Sequence, residues 1–298
     1  MMRFTPESNP GRYFGWLYSS GSERRLLEAL FGIEAEIAES LRPSLDHHVA
    51  HSRLQWWREE CERTAGGRAL HPLTQEAVAA FGETGQTRDG NVSAPLEERA
   101  TSTSALAGLS GFVDVTVWDL AGATYESRRE LTAYCERWAA AMIEPVVTLA
   151  LATGGAGPAN GNWRAIGASI RELEMLADLA REAHSGRLRV PLDEIEAAMA
   201  DPASLAKPPW PAAIAKVLYD RHQALRAEIA REVDRLDPPE QQVLRGLVVW
   251  AALAWRSSRR AQRVLPDRVL PRRFEAIADT WFAWRVARRA TMGRFKLG

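Results

Sequence analysis

The sequence predicts an all-α protein. Apolar residues recur at three- and four-residue steps along nearly the whole chain, and no segment alternates polar and apolar residues convincingly. The periodic stretches are separated by clusters of Gly, Pro and small polar residues. Composition agrees: of 298 residues, 46% are hydrophobic and 26% charged, which is ordinary for a globular domain and argues against global disorder.

The first periodic segment runs from Glu23 to Leu41, where Leu26, Leu27, Leu30, Phe31, Ile33 and Ile37 share a face. From Ala50 to Arg63, Leu54, Trp57 and Cys61 trace a second apolar face while Arg58, Glu59, Glu60 and Glu62 fall mostly elsewhere. Further helices are expected over Thr74 to Phe81, Ala105 to Leu120, Ser127 to Ala152, Trp163 to Glu182 and Leu192 to Ala200. The last three run from Pro211 to Leu236, Pro239 to Val264 and Arg272 to Met292. Pro239 suits a first turn, with Asp237 as a cap before it. Three breaker-rich stretches punctuate the pattern: a polar insert at 83–104, a glycine-rich connector at 153–162 and a proline-rich loop at 201–211. None separates blocks with their own periodicity and no internal repeat is present, so one domain over 1–298 is expected, with its core at about 13–285 and a basic tail at 286–298.

Lys+Arg and Asp+Glu are equal at 38 each, which gives no electrostatic reason to expect nucleic acid or an anionic membrane as the main partner. Cys61 and Cys135 have no metal-ligand spacing, and a reduced, cytoplasmic setting fits them best. The N-terminus lacks the apolar run of a signal peptide, and no apolar run reaches the length needed to span a bilayer. The segment WRVARRATMGRFKLG is basic and mildly amphipathic, so a solvated tail is the default and contact with a membrane surface or a protein partner the sharper alternative.

The segment most suggestive of chemistry is 166–191, IGASIRELEMLADLAREAHSGRLRVP. Asp178 and Glu182 lie four apart on one helix face, a pairing that suits Mg²⁺ alongside substrate phosphates. Taken alone, such a pair more often decorates a solvated surface. His47 and His51 also lie four apart, but no further ligand completes a zinc site, and a polar helix start is the simpler role. The eleven tryptophans are read mainly as core.

Three further segments change the weight of that acidic pair: Ala29–Leu30–Phe31 running into Glu34, Glu36 and Glu39; RLQWWRE at 53–59, with GGR at 66–68 and His71–Pro72; and Tyr134–Cys135–Glu136–Arg137–Trp138. With DLAREAHSGRLRVP at 178–191, their order and spacing resemble the squalene/phytoene synthase family from about Tyr13 to about Arg285. That resemblance implies an all-α bundle around a central cavity and Mg²⁺-dependent head-to-head condensation of farnesyl or geranylgeranyl diphosphate. Two acidic motifs would hold the metal, and the leaving diphosphate would generate an allylic cation in an apolar cavity.

The carry-over is uneven. Asp178 and Glu182 match the second motif, with Glu in place of the usual second Asp, and Arg187 and Pro191 match as well. Arg189 stands where the family usually has Tyr, and Arg171 and Glu174 where it has Gln and Asn. In the first motif, Ala38, Glu39 and Arg42 occupy the three aspartate positions, leaving Glu39 as the one surviving carboxylate, with Glu36 as a substitute neighbour. The expected site is therefore Asp178, Glu182, Glu39 and Glu36 around Mg²⁺, with Arg53, Arg58, Arg187, Arg42 and Tyr134 toward a prenyl diphosphate or other isoprenoid lipid. The phrases EAEIAES and RLQWWREE are similar to a divergent branch related to the mitochondrial respiratory complex I assembly factor. That similarity implies a member with reduced or lost synthase activity, acting through protein partners.

Overall fold

The computed structural model describes residues 9–82, 104–265 and 276–297, so all but the last residue of the polar insert at 83–104, and the expected start of the last helix at Arg272, lie outside the described residues. All regular structure among the described residues is helical. The chain begins with α1 (Pro10–Tyr18) and α2 (Gly21–Ala38), the second continuing into a 3₁₀ turn at Glu39–Leu41. Next come α3 (His47–Ala65), α4 (Pro72–Gly82), α5 (Ser110–Leu120), α6 (Arg128–Met142) and α7 (Glu144–Gly154). The second half holds α8 (Trp163–Ala177), α9 (Leu179–His184), α10 (Leu192–Ala197), α11 (Ala212–Arg235), α12 (Pro238–Val243), α13 (Arg245–Val264) and α14 (Ala276–Thr291).

Helix α1 is absent from the periodicity reading, yet its start signals are strong. The Asn9 side chain accepts from the Arg12 backbone N–H at 3.2 Å, and Pro10 supplies a pre-set first-turn φ. The helix packs against α13 because the crossing is built from glycines: a Cβ on Gly246 would sit 2.5 Å from the Gly15 carbonyl oxygen. Backbone-to-backbone approach of this kind is open only to residues without a side chain.

Three expected long helices are divided. The stretch from Ser127 to Ala152 breaks at Ile143, because Pro145 has no N–H to give the preceding turn. The stretch from Pro239 to Val264 starts one residue earlier and breaks at Leu244. The stretch from Trp163 to Glu182 breaks at Asp178, whose φ of −102° and ψ of 6° leave the helical region. The Glu182 N–H still reaches the Asp178 carbonyl at 3.0 Å, so one turn of spacing survives the break.

A continuous apolar core joins these elements. Helices α6 and α8 pair at its centre, with α11 and α13 behind and α2, α5 and α7 in front. Trp138 and Trp250 are fully enclosed, their rings meeting edge-to-face at 6.2 Å, and Phe31 lies 5.8 Å from Trp250. Aromatic rings thus fill the middle of the bundle, each buried ring removing a large apolar area from water. Cys61 and Cys135 are buried free thiols, and burial pushes Cys61 up to about 12.

Candidate functional site

At the open end of this aromatic core lies a cleft of about 290 Å³, between α1, α2, α5, α8 and α9. Its wall carries five arginines (12, 171, 181, 187 and 189) and five carboxylates (Glu34, Asp119, Glu174, Asp178 and Glu182), so the formal charges cancel. Each carboxylate is met by a guanidinium.

The deepest cation is Arg12, only 5% exposed. Its Nη1 and Nη2 (3.3 Å) donate to Glu34, while Nε and Nη2 donate to Glu174 at 3.2 and 2.8 Å. The guanidinium carbon also sits 5.5 Å from the Phe31 ring centroid, 5.4 Å from Trp138 and 5.7 Å from Trp250. A planar fork of donors between two carboxylates, faced by π-systems, is the environment that suits Arg and no other cation. The two carboxylates are held by further donors: Trp138 Nε1 to Glu34 at 2.7 Å, and Asn9 Nδ2 to Glu174 at 2.9 Å. Burial alone would push Glu34 up; the charge and hydrogen bonds of Arg12, with Arg171 and Trp138, hold it below the usual carboxylate range.

A second chain of contacts runs along the other wall. Arg189, 5% exposed, donates through Nη1 to Asp119 at 2.6 Å and to the Tyr125 hydroxyl at 3.1 Å, and through Nη2 to Glu182 at 3.0 Å. The Tyr134 hydroxyl donates to Asp119 at 3.0 Å and accepts from Arg171 at 3.4 Å. Burial pushes the Tyr134 phenol up to about 12, against the lowering influence of Arg171, so it stays protonated and serves as a donor. Arg171 lies 3.8 Å from Glu34 and 3.7 Å from Glu174, joining the two chains. At the mouth, Arg181 pairs with Asp178 at 2.9 Å and approaches Glu182 at 3.7 Å, while Arg187 lies 3.6 Å from Glu182.

The residues expected from sequence divide between this cleft and other surfaces. Asp178, Glu182 and Arg187 line the cleft, whereas Tyr134 is buried behind it and reaches it only through its bonds to Asp119 and Arg171. Glu36, Glu39, Arg42 and Arg53 line a separate hollow of about 440 Å³ at the end of α2. There Arg42 pairs with Glu39, and Arg53 Nη2 donates to the Glu36 carbonyl at 3.3 Å. Arg58 donates to Asp114 of α5 at 2.9 Å. Helical phase explains the division. Glu34, Ala38 and Leu41 follow i, i+4, i+7 onto the cleft side, whereas residues two and five past Glu34 point well away from it. The carboxylate that α2 turns into the cleft is therefore Glu34, one residue of the acidic run named in the sequence.

Three central residues stand outside the sequence expectation: Arg12, Glu34 and Asp119. The signal for Arg12 was the Asn9–Pro10 helix start, which places an arginine on the inner face of an otherwise apolar α1. For Arg171, Glu174 and Arg189 the signal was present as departures from the family pattern.

Mg²⁺ takes near-octahedral oxygen ligation. Here Glu34 and Glu174 are clamped by Arg12, and Asp119 and Glu182 share Arg189, which would stand within a few ångströms of any cation the pair bound. Asp178 pairs with a solvent-exposed Arg181, an ion pair that costs little to break. Among the described residues, no group of three or more His, Cys, Asp or Glu converges as a ligand set. The donor set does not fit the metal.

The architecture is that of the isoprenoid-synthase helical bundles. The chain is similar to a dehydrosqualene synthase solved with ligand (TM-score 0.67, 10% identity, covering 94% of this chain and 90% of that one). It is also similar to the squalene synthase HpnC from Alicyclobacillus acidocaldarius (TM-score 0.60, 16% identity, covering 84% and 87%). At such identities the likeness is one of fold. The family model for squalene/phytoene synthase matches residues 12–275, and the chain belongs to that family. No curated protein matches it.

Proposed function

We propose that this chain is a non-catalytic member of the squalene/phytoene synthase family, in which the protein's own guanidinium groups have replaced the cations of a metal–diphosphate site. The observation that carries the reading is the pair of buried arginines, Arg12 between Glu34 and Glu174 and Arg189 between Asp119 and Glu182. A metal-dependent ionisation needs carboxylates whose oxygens are open to the ion and to the leaving group. Four of the five carboxylates in the cleft are held by buried arginines through charge-assisted bonds, so the network joins α1, α2, α5, α8 and α9 to one another. The role of the protein then lies in binding a partner rather than in bond formation.

The competing reading is a prenyltransferase working through Asp178, Glu182 and Arg187 at the cleft mouth. One assay separates them: purified protein incubated with farnesyl or geranylgeranyl diphosphate, with and without Mg²⁺, and followed for pyrophosphate and hydrocarbon. No release above the protein-free control is expected. Mg²⁺-dependent product that disappears in Asp178→Ala would overturn the proposal.

A further inference from the structure

The last helix carries a surface that the cleft does not explain. Its inner side packs on α13 and the core through Ala283, Val286, Ala287 and Ala290, all buried. Its outer side presents Ile277, Trp281, Trp284 and Met292, which are 87%, 55%, 46% and 50% exposed. With Arg288, these positions follow i, i+4, i+7, i+11 and i+15, so they form one stripe along the helix. Large apolar side chains exposed in line are uncommon on a protein surface and mark a place of contact.

The charges around the stripe say what it contacts. Arg285 stacks over Trp281 at 4.5 Å, and Arg288 over Trp284 at 5.5 Å. Arg289 and Arg294 follow in the last turn and beyond it, while Lys296 turns back to donate to the Asp234 carbonyl. The single acid from 276 to 297 is Asp279, which is buried and held inward by Arg256 at 3.2 Å and Arg260 at 2.9 Å. The helix therefore offers apolar knobs and positive charge only. Among the described residues, no helix is long and apolar enough to cross a membrane.

We propose that the outer face of α14 docks this protein on an anionic lipid bilayer, the helix lying in the plane of the interface. Indole rings favour the boundary between headgroups and acyl chains, and guanidinium groups stacked on them stay level with lipid phosphates. A protein partner would select aromatic and Arg residues too, but a helix face with cations and, among its described residues, no outward carboxylate matches a surface of one opposite sign.

The test is co-sedimentation of the full chain with phosphatidylcholine vesicles, with and without about one third phosphatidylglycerol. The wild type is expected to pellet with the anionic vesicles, to be released by high salt and to stay in solution with phosphatidylcholine alone. Arg285→Gln with Arg288→Gln should weaken partitioning about twenty-five-fold, since each cation near an anionic surface contributes about five-fold. Trp281→Ser with Trp284→Ser should weaken it at least about ten-fold. Both double variants should keep the wild-type melting temperature; if either melts early, Ile277→Asp at the most exposed position takes its place. Wild-type protein left in solution with anionic vesicles, or variants that bind as tightly as wild type, would overturn the proposal. So would a self-association seen by sedimentation velocity that the Trp variant abolishes without any vesicle binding, since the face would then pair with a second copy of itself.

Discussion

Replacing Arg12 by Met tests whether the centre of the molecule is an ion-pair core. The substitution keeps an unbranched apolar stem of similar length and removes four donor contacts to Glu34 and Glu174. Glu34 keeps Trp138 Nε1 at 2.7 Å and Arg171 at 3.8 Å; Glu174 keeps Asn9 at 2.9 Å and Arg171 at 3.7 Å. One guanidinium is then left near two largely buried carboxylates, and breaking a buried pair in this way costs about 3–5 kcal/mol. At about 2.1 cal/mol/K per residue, the unfolding entropy of 298 residues is about 0.6 kcal/mol/K, so the midpoint should fall by about 5–8 °C. The measurement is thermal and urea unfolding by circular dichroism at pH 7. The triple variant Arg12→Met, Glu34→Gln, Glu174→Gln should return to within about 2 kcal/mol of wild type, because it removes the stranded charges along with their partner. Acid supplies an independent readout. Arg12 helps hold Glu34 below the usual carboxylate range, and the wild type loses that stabilisation as the pH falls below about 4.5, so the deficit should shrink there. A single variant within about 1 kcal/mol of wild type, or a triple variant no better than the single one, would refute the argument.

Three other outcomes follow from the structure. Arg189→Ala should destabilise by about 3–5 kcal/mol at pH 7 and, unlike wild type, should be stabilised by millimolar Mg²⁺, since it frees Asp119 and Glu182 to bind a cation; an equal Mg²⁺ effect on wild-type melting would count against the arginine-for-metal reading. His222 is buried on Ser258 at 2.9 Å, and burial lowers it to about 4 from 6.5. The unfolded chain therefore binds this proton first, and the stability present above pH 6.5 should drop by up to about 3 kcal/mol between 6.5 and 4, a slope that His222→Gln should flatten in pH-dependent urea unfolding. Gly246→Ala drives a methyl to 2.5 Å from the Gly15 carbonyl oxygen and should cost about 1–3 kcal/mol by thermal unfolding, whereas Gly21→Ala, with open space at its Cβ, should be neutral.

Much of the scaffold was legible because helical period is local information. The apolar spacing of Leu26, Leu30, Ile33 and Ile37 fixes which side of α2 is buried whatever it packs against. The placement of Asp178 and Glu182 on one wall was legible for the same reason, since one turn of chain relates them. Helix breaks were less visible. Pro145 announced one, but the break at Asp178 has no proline or glycine to mark it.

What the sequence by itself determined is the fold class, the family pattern and the inventory of charges. Which charges meet was decided by tertiary structure, because pairing depends on the relative phase of helices distant in the chain. Glu34 and Glu36 look equivalent as letters, yet 3.6-residue geometry sends one to Arg12 and the other to the hollow beside Arg53. Arg12 reads as one of 38 basic residues until the glycine crossing of α1 on α13 sets it between Glu34 and Glu174, 22 and 162 positions away. A carboxylate that pairs with an arginine and one that waits for a metal carry the same letter, and only their neighbours in space distinguish them.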